Sequence, residues 1–119
     1  MRAAIRGYEC YDSDDLSTYN FGEPQVFGFT LAFAIGVEGQ EGSDQFEVLV
    51  ASAPYLAQRY PGQVVIFLRH IILASDYNVN VAVALMNKFV SSLEGKSWQE
   101  LATKINTVAR WEYEDYQPA

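Results

Sequence analysis

The stretch "DSDD" at residues 12–15 is the densest run of oxygen ligands in the chain, and calcium is the ion such a run would hold. A calcium loop wants Asp or Asn at its fifth place, Gly at the sixth and Glu at the twelfth. Counted from Asp12, with Asp14 and Asp15 following, those places hold Leu16, Ser17 and Glu23. Only the last fits, so the stretch reads as a solvated acidic loop. Gly36, Gly39 and Gly42, in "GVEGQEG", are spaced by three, as in some phosphate cradles. A cradle, however, opens a helix and excludes acids, whereas Glu38 and Glu41 stand inside this one and a strand pattern follows it. It reads as a turn. His70 is the only histidine, and its neighbours Leu68, Arg69, Ile71 and Ile72 offer no metal ligand or triad partner. It is expected to be a satisfied or half-exposed strand histidine. Cys10 is the only cysteine, so no internal disulfide forms, and it is expected to be a small buried residue on the first strand. None of these residues argues for catalysis, and no metal or cofactor is expected.

The charge points elsewhere. The 119 residues carry a net charge of −7, unevenly spread. Residues 1–47 hold nine acids against Arg2 and Arg6, whereas residues 59–110 hold six bases against three acids. Glu112, Glu114 and Asp115 then make the end acidic again. Nucleic-acid binding is disfavoured, because neutralising phosphates needs a concentrated basic face. A basic protein partner is compatible with the pattern. Half the residues are apolar and 14% aromatic, enough for a core, and the length suits one domain over 1–119. The longest apolar run, "VVIFLRHIIL", is interrupted by Arg69 and His70 and is too short to span a bilayer. The opening "MRAAIRGYECYDSDD" has no signal-peptide h-region, so a cytoplasmic location is expected.

The elements that must position these residues follow from periodicity. "RAAIRGYEC" reads as a first strand and "YDSDDLSTYNFGEPQ" as a loop. In "VFGFTLAFAIGV" a period of two puts Phe27, Phe29, Leu31, Phe33, Ile35 and Val37 on one face and only small residues on the other. "EGQEGSDQ" is a turn and "FEVLVAS" its partner strand. "PYLAQRY" makes a short helix, and "QVVIFLRHIILAS" reads as a central strand with Arg69 and His70 on opposite faces. From Asn78 the period changes to three and four through Ala82, Leu85, Met86, Phe89, Val90 and Leu93, a helix stopped at Gly95. Ser97 and Glu100 form a capping box for a second helix over 97–110, with Trp98, Leu101, Ile105 and Val108 inward. The predicted class is α+β, an antiparallel or mixed sheet of four to five strands with two C-terminal helices mainly on one face.

After that helix, "WEYEDY" read as a strand puts Trp111 and Tyr113 on one side and Glu112 and Glu114 on the other. Two readings stand side by side. The segment is an edge strand whose carboxylates block stray pairing, or it is a recognition edge of aromatic anchors ringed by acids, Tyr116 included.

"FGF" at 27–29, "EGSDQFEVLV" at 41–50, "PYL" at 54–56, "RHIIL" at 69–73 and above all "SWQELATKINTVARWEYEDY" at 97–116 resemble the immunity protein 8 family of bacterial polymorphic toxin systems. Tyr55 stands where that pattern would have Trp, and "YNVN" at 77–80 where it would have Tyr-Asp. The resemblance implies a small intracellular protein that binds and neutralises a cognate toxin, without catalysis. It assigns no binding residues. Electrostatics order the candidates as Glu38, Glu41 and Asp44 in the hairpin turn, then Asp12, Asp14 and Asp15, then Glu112, Glu114, Asp115 and Tyr116 at the end. The expected partner is a basic toxin domain, with no nucleic acid or membrane involved, and the chain is expected to be a monomer or weak homodimer. The alternative is a structural or adaptor module that self-associates through its C-terminal edge. A hydrolase using His70 is the third reading.

Overall fold

The computed structural model describes residues 1–12, 26–65 and 67–114. The order is β1 (Ala3–Asp12), β2 (Gly28–Val37), β3 (Asp44–Ala51), α1 (Ala53–Arg59), β4 (Ile71–Leu73), α2 (Val79–Ser91), α3 (Trp98–Asn106) and β5 (Arg110–Trp111). Together these make the expected α+β fold with a mixed five-stranded sheet. No helix among the described residues is long and apolar enough to cross a membrane.

The period-two segment forms β2, the second strand of an antiparallel run β1–β2–β3. Phe27, Phe29, Leu31, Phe33 and Ile35 are all buried, as their alternation predicts. Phe46, Val48 and Val50 of β3 join them. From above, Ala82, Met86 and Val90 of α2 and Leu101, Ala102 and Ile105 of α3 close this core. Val37 is only half-buried at the strand end, and Leu85 is exposed beside Leu73 and Val81, because α2 turns a narrower stripe inward than predicted. Cys10 corrects its expectation too. It does lie on β1, opposite Leu31, but β1 is the sheet edge and the cysteine is exposed there.

The β2–β3 turn relies on Gly39 and Gly42, both at positive φ (83° and 96°). Gly36 is fixed by space instead, since a Cβ there would sit 2.1 Å from the Gly42 carbonyl oxygen. A bulge in β1 between Ile5 and Gly7 leaves Arg6 out of register and aims its guanidinium across the sheet. It donates to the carbonyls of Val37 (2.5 Å) and Gln40, tying the edge strand to the turn.

The predicted central strand over 63–75 shrinks to Ile71–Leu73. β3 explains why. Its outer edge pairs in parallel with β4 at Leu49, Val50 and Ala51, but at Phe46 and Glu47 it pairs with Trp111 and Arg110 of β5. Glu112 extends this by donating its N–H to the Gln45 carbonyl (3.0 Å). The C-terminal strand therefore holds the edge along which residues preceding Ile71 would have continued. His70, at φ 60°, turns the incoming chain outward, so it and Arg69 sit in a bend, not on a strand. The last helix is shorter than predicted for the same reason, ending at Asn106 so that the chain can reach β3. "WEYEDY" is likewise not a strand throughout. Only Trp111 belongs to β5, and residues 112–114 form a turn closed by a Glu114 N–H to Trp111 carbonyl bond (3.0 Å).

Candidate partner-binding surfaces

Residues directly opposite in an antiparallel register share a face. The face of the sheet away from α2 and α3 can therefore be read from the pairing. Its centre is Thr30, Ala32 and Ala34 of β2, flanked by Tyr11, Glu9 and Gly7 of β1 and by Leu49, Glu47 and Gln45 of β3. Glu9 and Glu47 thus stand on either side of Ala32. Tyr11 donates its hydroxyl to Glu47 Oε1 (3.0 Å) and Gln45 Nε2 donates to the same oxygen (3.2 Å). Partial burial, then this carboxylate partner, pushes the Tyr11 hydroxyl above its ordinary range. At one end Ser52 caps α1, its Oγ accepting from the N–H groups of Tyr55 (3.3 Å) and Phe27 (3.1 Å). This lays the Tyr55 ring over Gly28, where a Cβ would come within 2.5 Å of the ring. At the other end a shallow depression of about 410 Å³ opens between Glu9, Ala34, Gln45 and Glu112.

The acidic candidates fall into different situations. Glu38 and Glu41 are exposed on the hairpin turn. Asp44 is half-buried, and its Oδ2 accepts from the indole nitrogens of both Trp98 (2.8 Å) and Trp111 (3.0 Å). The two indoles frame Phe46, Trp111 stacked on it (10° between planes) and Trp98 edge-on (83°). Tyr113 packs edge-on against Trp111. Glu112 is exposed and lines the same depression as Asp44, so the hairpin and C-terminal clusters meet there. Glu114 lies between Arg69 and Arg110, an ion pair to each. Asp12 ends β1, and Asp14, Asp15, Asp115 and Tyr116 lie outside the described residues, as does the rest of the acidic loop expected beyond Asp12. Among the described residues no three His, Cys, Asp or Glu side chains converge as a metal site.

The structural motif residues act locally. Ser97 caps α3, its Oγ accepting from the Glu100 N–H (3.1 Å). Glu100 reaches one residue further back than the capping-box pattern, accepting from the Lys96 N–H (3.1 Å). That bond, then the Lys104 ammonium, pulls the Glu100 carboxyl below its ordinary range. His70 places Nε2 2.6 Å from the Asn106 carbonyl oxygen, which accepts from it. The histidine is satisfied by the backbone at the end of α3. Glu9 and Glu47 were not singled out in the sequence, although strand alternation alone assigns them to the outer face.

The arrangement is that of an α+β domain with α2 and α3 on one face of the sheet and an acid-rimmed opposite face, with its indoles and its histidine bound to its own chain. A family profile described as immunity protein 8 matches residues 3–116, nearly the whole length. The chain belongs to the immunity protein 8 family. No curated protein and no solved structure matches it significantly.

Proposed function

We propose that this chain is an immunity protein that neutralises a cognate toxin domain by stoichiometric binding rather than by catalysis. The observation that carries the reading is the sheet face opposite α2 and α3, which among the described helices only α1 meets, through Tyr55 at one end. Small residues, Thr30, Ala32 and Ala34, run along its centre, while Glu9, Glu47 and Glu112 ring it with negative charge. Glu38 and Glu41 extend that charge to the hairpin turn beyond Asp44. A toxin domain with a basic surface suits this field, which speeds encounter and fixes orientation. Asp12, Asp14, Asp15 and Asp115 belong to the same proposal through their charge alone, and the producing cell's cytoplasm is where protection would be exerted. The test is co-expression with the C-terminal domain of a polymorphic toxin encoded beside this chain's gene, where the gene neighbourhood holds one. Growth should be restored, and the two purified chains should elute as a 1:1 complex. A soluble, folded chain that neither restores growth nor forms the complex would refute the reading.

A further inference from the structure

We propose that Val64, Val65, Phe67 and Leu68 form the apolar anchor of the toxin interface, and that the surface they fit is an apolar cleft rimmed by carboxylates. The inference rests on the toxin-binding function proposed above and adds the site that sets the lifetime of the complex. Val64, Val65 and Phe67 are 99%, 85% and 101% exposed, and Leu68 is half exposed. Isolated exposed apolar residues are ordinary, but several in succession, including an unpacked Phe, are a mark of an interaction site.

The fold leaves these residues nowhere to go. They precede β4, and the β3 edge on which they would have continued is occupied by Arg110 and Trp111. Fixed contacts present them at both ends. In front, the Tyr60 N–H donates to the Leu56 carbonyl (3.0 Å) and Gly62 turns the chain at φ 79°. Behind, His70 is bound to Asn106 and Arg69 to Glu114. The chain is thus tethered on either side of the segment, and its apolar side chains face outward, where a central hot spot must stand.

Charge selects the occupant. The anchor lies between Arg59 and Arg69 in a chain otherwise strongly acidic. Arg59 is held there by the Tyr55 hydroxyl (3.4 Å) and lies over the Tyr60 ring. An isologous contact between two copies would bring together two molecules each of charge −7, with no opposite charge to offset the repulsion beyond what Arg59 supplies. Arg69 is already paired with Glu114, whereas Arg59 has no carboxylate among the described ion pairs. Arg59 is therefore met by a partner whose apolar cleft carries carboxylates at its rim. Its basic surface elsewhere would meet the acidic sheet face, and two zones of opposite sign admit one docking orientation.

The test compares wild type with Val65→Asp/Phe67→Asp against the purified toxin domain that the co-expression test above identifies as cognate. Both substituted side chains are outside the core, so the unfolding midpoint should be unchanged. Dissociation should accelerate by about 30-fold or more, the size expected of a lost hot spot. In the wild-type complex, backbone amides at residues 64, 65, 67 and 68 should gain protection from hydrogen exchange, a readout that needs no variant. Wild-type kinetics in the double variant, or no added protection, would overturn the anchor while leaving the immunity function intact. A wild-type chain that sediments as a dimer and becomes monomeric in the double variant would assign the anchor to a second copy and overturn it equally. If the wild-type chain itself fails to bind the toxin domain, the immunity function falls, and the anchor with it.

Discussion

Trp98 and Trp111 share one acceptor, each donating its indole N–H to Oδ2 of Asp44. This carboxylate joins the β2–β3 hairpin to the start of α3 and to β5, with the Phe46 ring between the two indoles. Asp44→Ala should cost about 3 kcal/mol, the low end for two hydrogen bonds to a charged acceptor at about 1.5–3 kcal/mol each, since the half-buried site lets water take up part of what both donors lose. Asp44→Asn, which keeps an acceptor oxygen, should cost about half as much. Equilibrium denaturation followed by tryptophan fluorescence measures both.

Because the indoles converge on one atom, Trp98→Phe and Trp111→Phe should not be additive. A coupling of about 1 kcal/mol is expected from the double-mutant cycle. Strict additivity would mean that the two bonds act independently.

Gly28→Ala and Gly36→Ala are both overpacking changes, typically costing about 1–3 kcal/mol, but they should differ in how they are rescued. At Gly28 the obstacle is the Tyr55 side chain, so adding Tyr55→Ala should make the double variant cost less than the two single changes together. At Gly36 the obstacle is the Gly42 backbone carbonyl, and no side-chain change should relieve it. Thermal melts of the four variants decide the matter.

The Glu100 carboxyl is held below its ordinary range chiefly by the Lys96 N–H and then by Lys104. Its folded form binds protons less readily than its unfolded form, so its contribution is complete above the ordinary carboxylate range and is lost as pH falls through the depressed value. Wild type should therefore melt above Glu100→Gln at neutral pH, and the gap should close as pH drops below about 4. A gap that persists to pH 2 would place the contribution elsewhere.

Glu38→Gln/Glu41→Gln neutralises the exposed turn without touching the Asp44 junction. Association with the toxin domain should slow about 3–10-fold at low salt and depend less steeply on ionic strength, with dissociation nearly unchanged. Stopped-flow measurements across a salt series would show this, and salt curves that superimpose would remove the turn from the encounter.

How far the fold could be read from sequence depended on whether the cause was local. The period of two in β2 and the Ser97 cap of α3 are written in neighbouring residues, and both elements formed as their spacing indicates. The truncation of the strand before Ile71 is not local. "QVVIFLRH" has every property of a buried strand, and only the arrival of Trp111 on the same edge of β3 removes it from the sheet. Cys10 and Leu85 departed from expectation for a related reason, since each carries the right alternation but lies at a margin, the edge strand and the side of α2, where it stays exposed. The acidic turn was legible as charge, but nothing in its spacing marked Asp44 as the residue two distant indoles would bind.

The Asp44 junction also bears on kinetics. Its indole partners lie 54 and 67 positions further along the chain, whereas the hairpin it belongs to closes over a few residues. Closing loops that long delays a contact, so the hairpin should be in place well before the carboxylate meets its indoles. Interactions made after the rate-limiting step slow escape from the finished state without hastening arrival at it. The shared-acceptor clasp therefore acts as a latch on persistence, lengthening the life of the folded chain without changing how quickly it is reached.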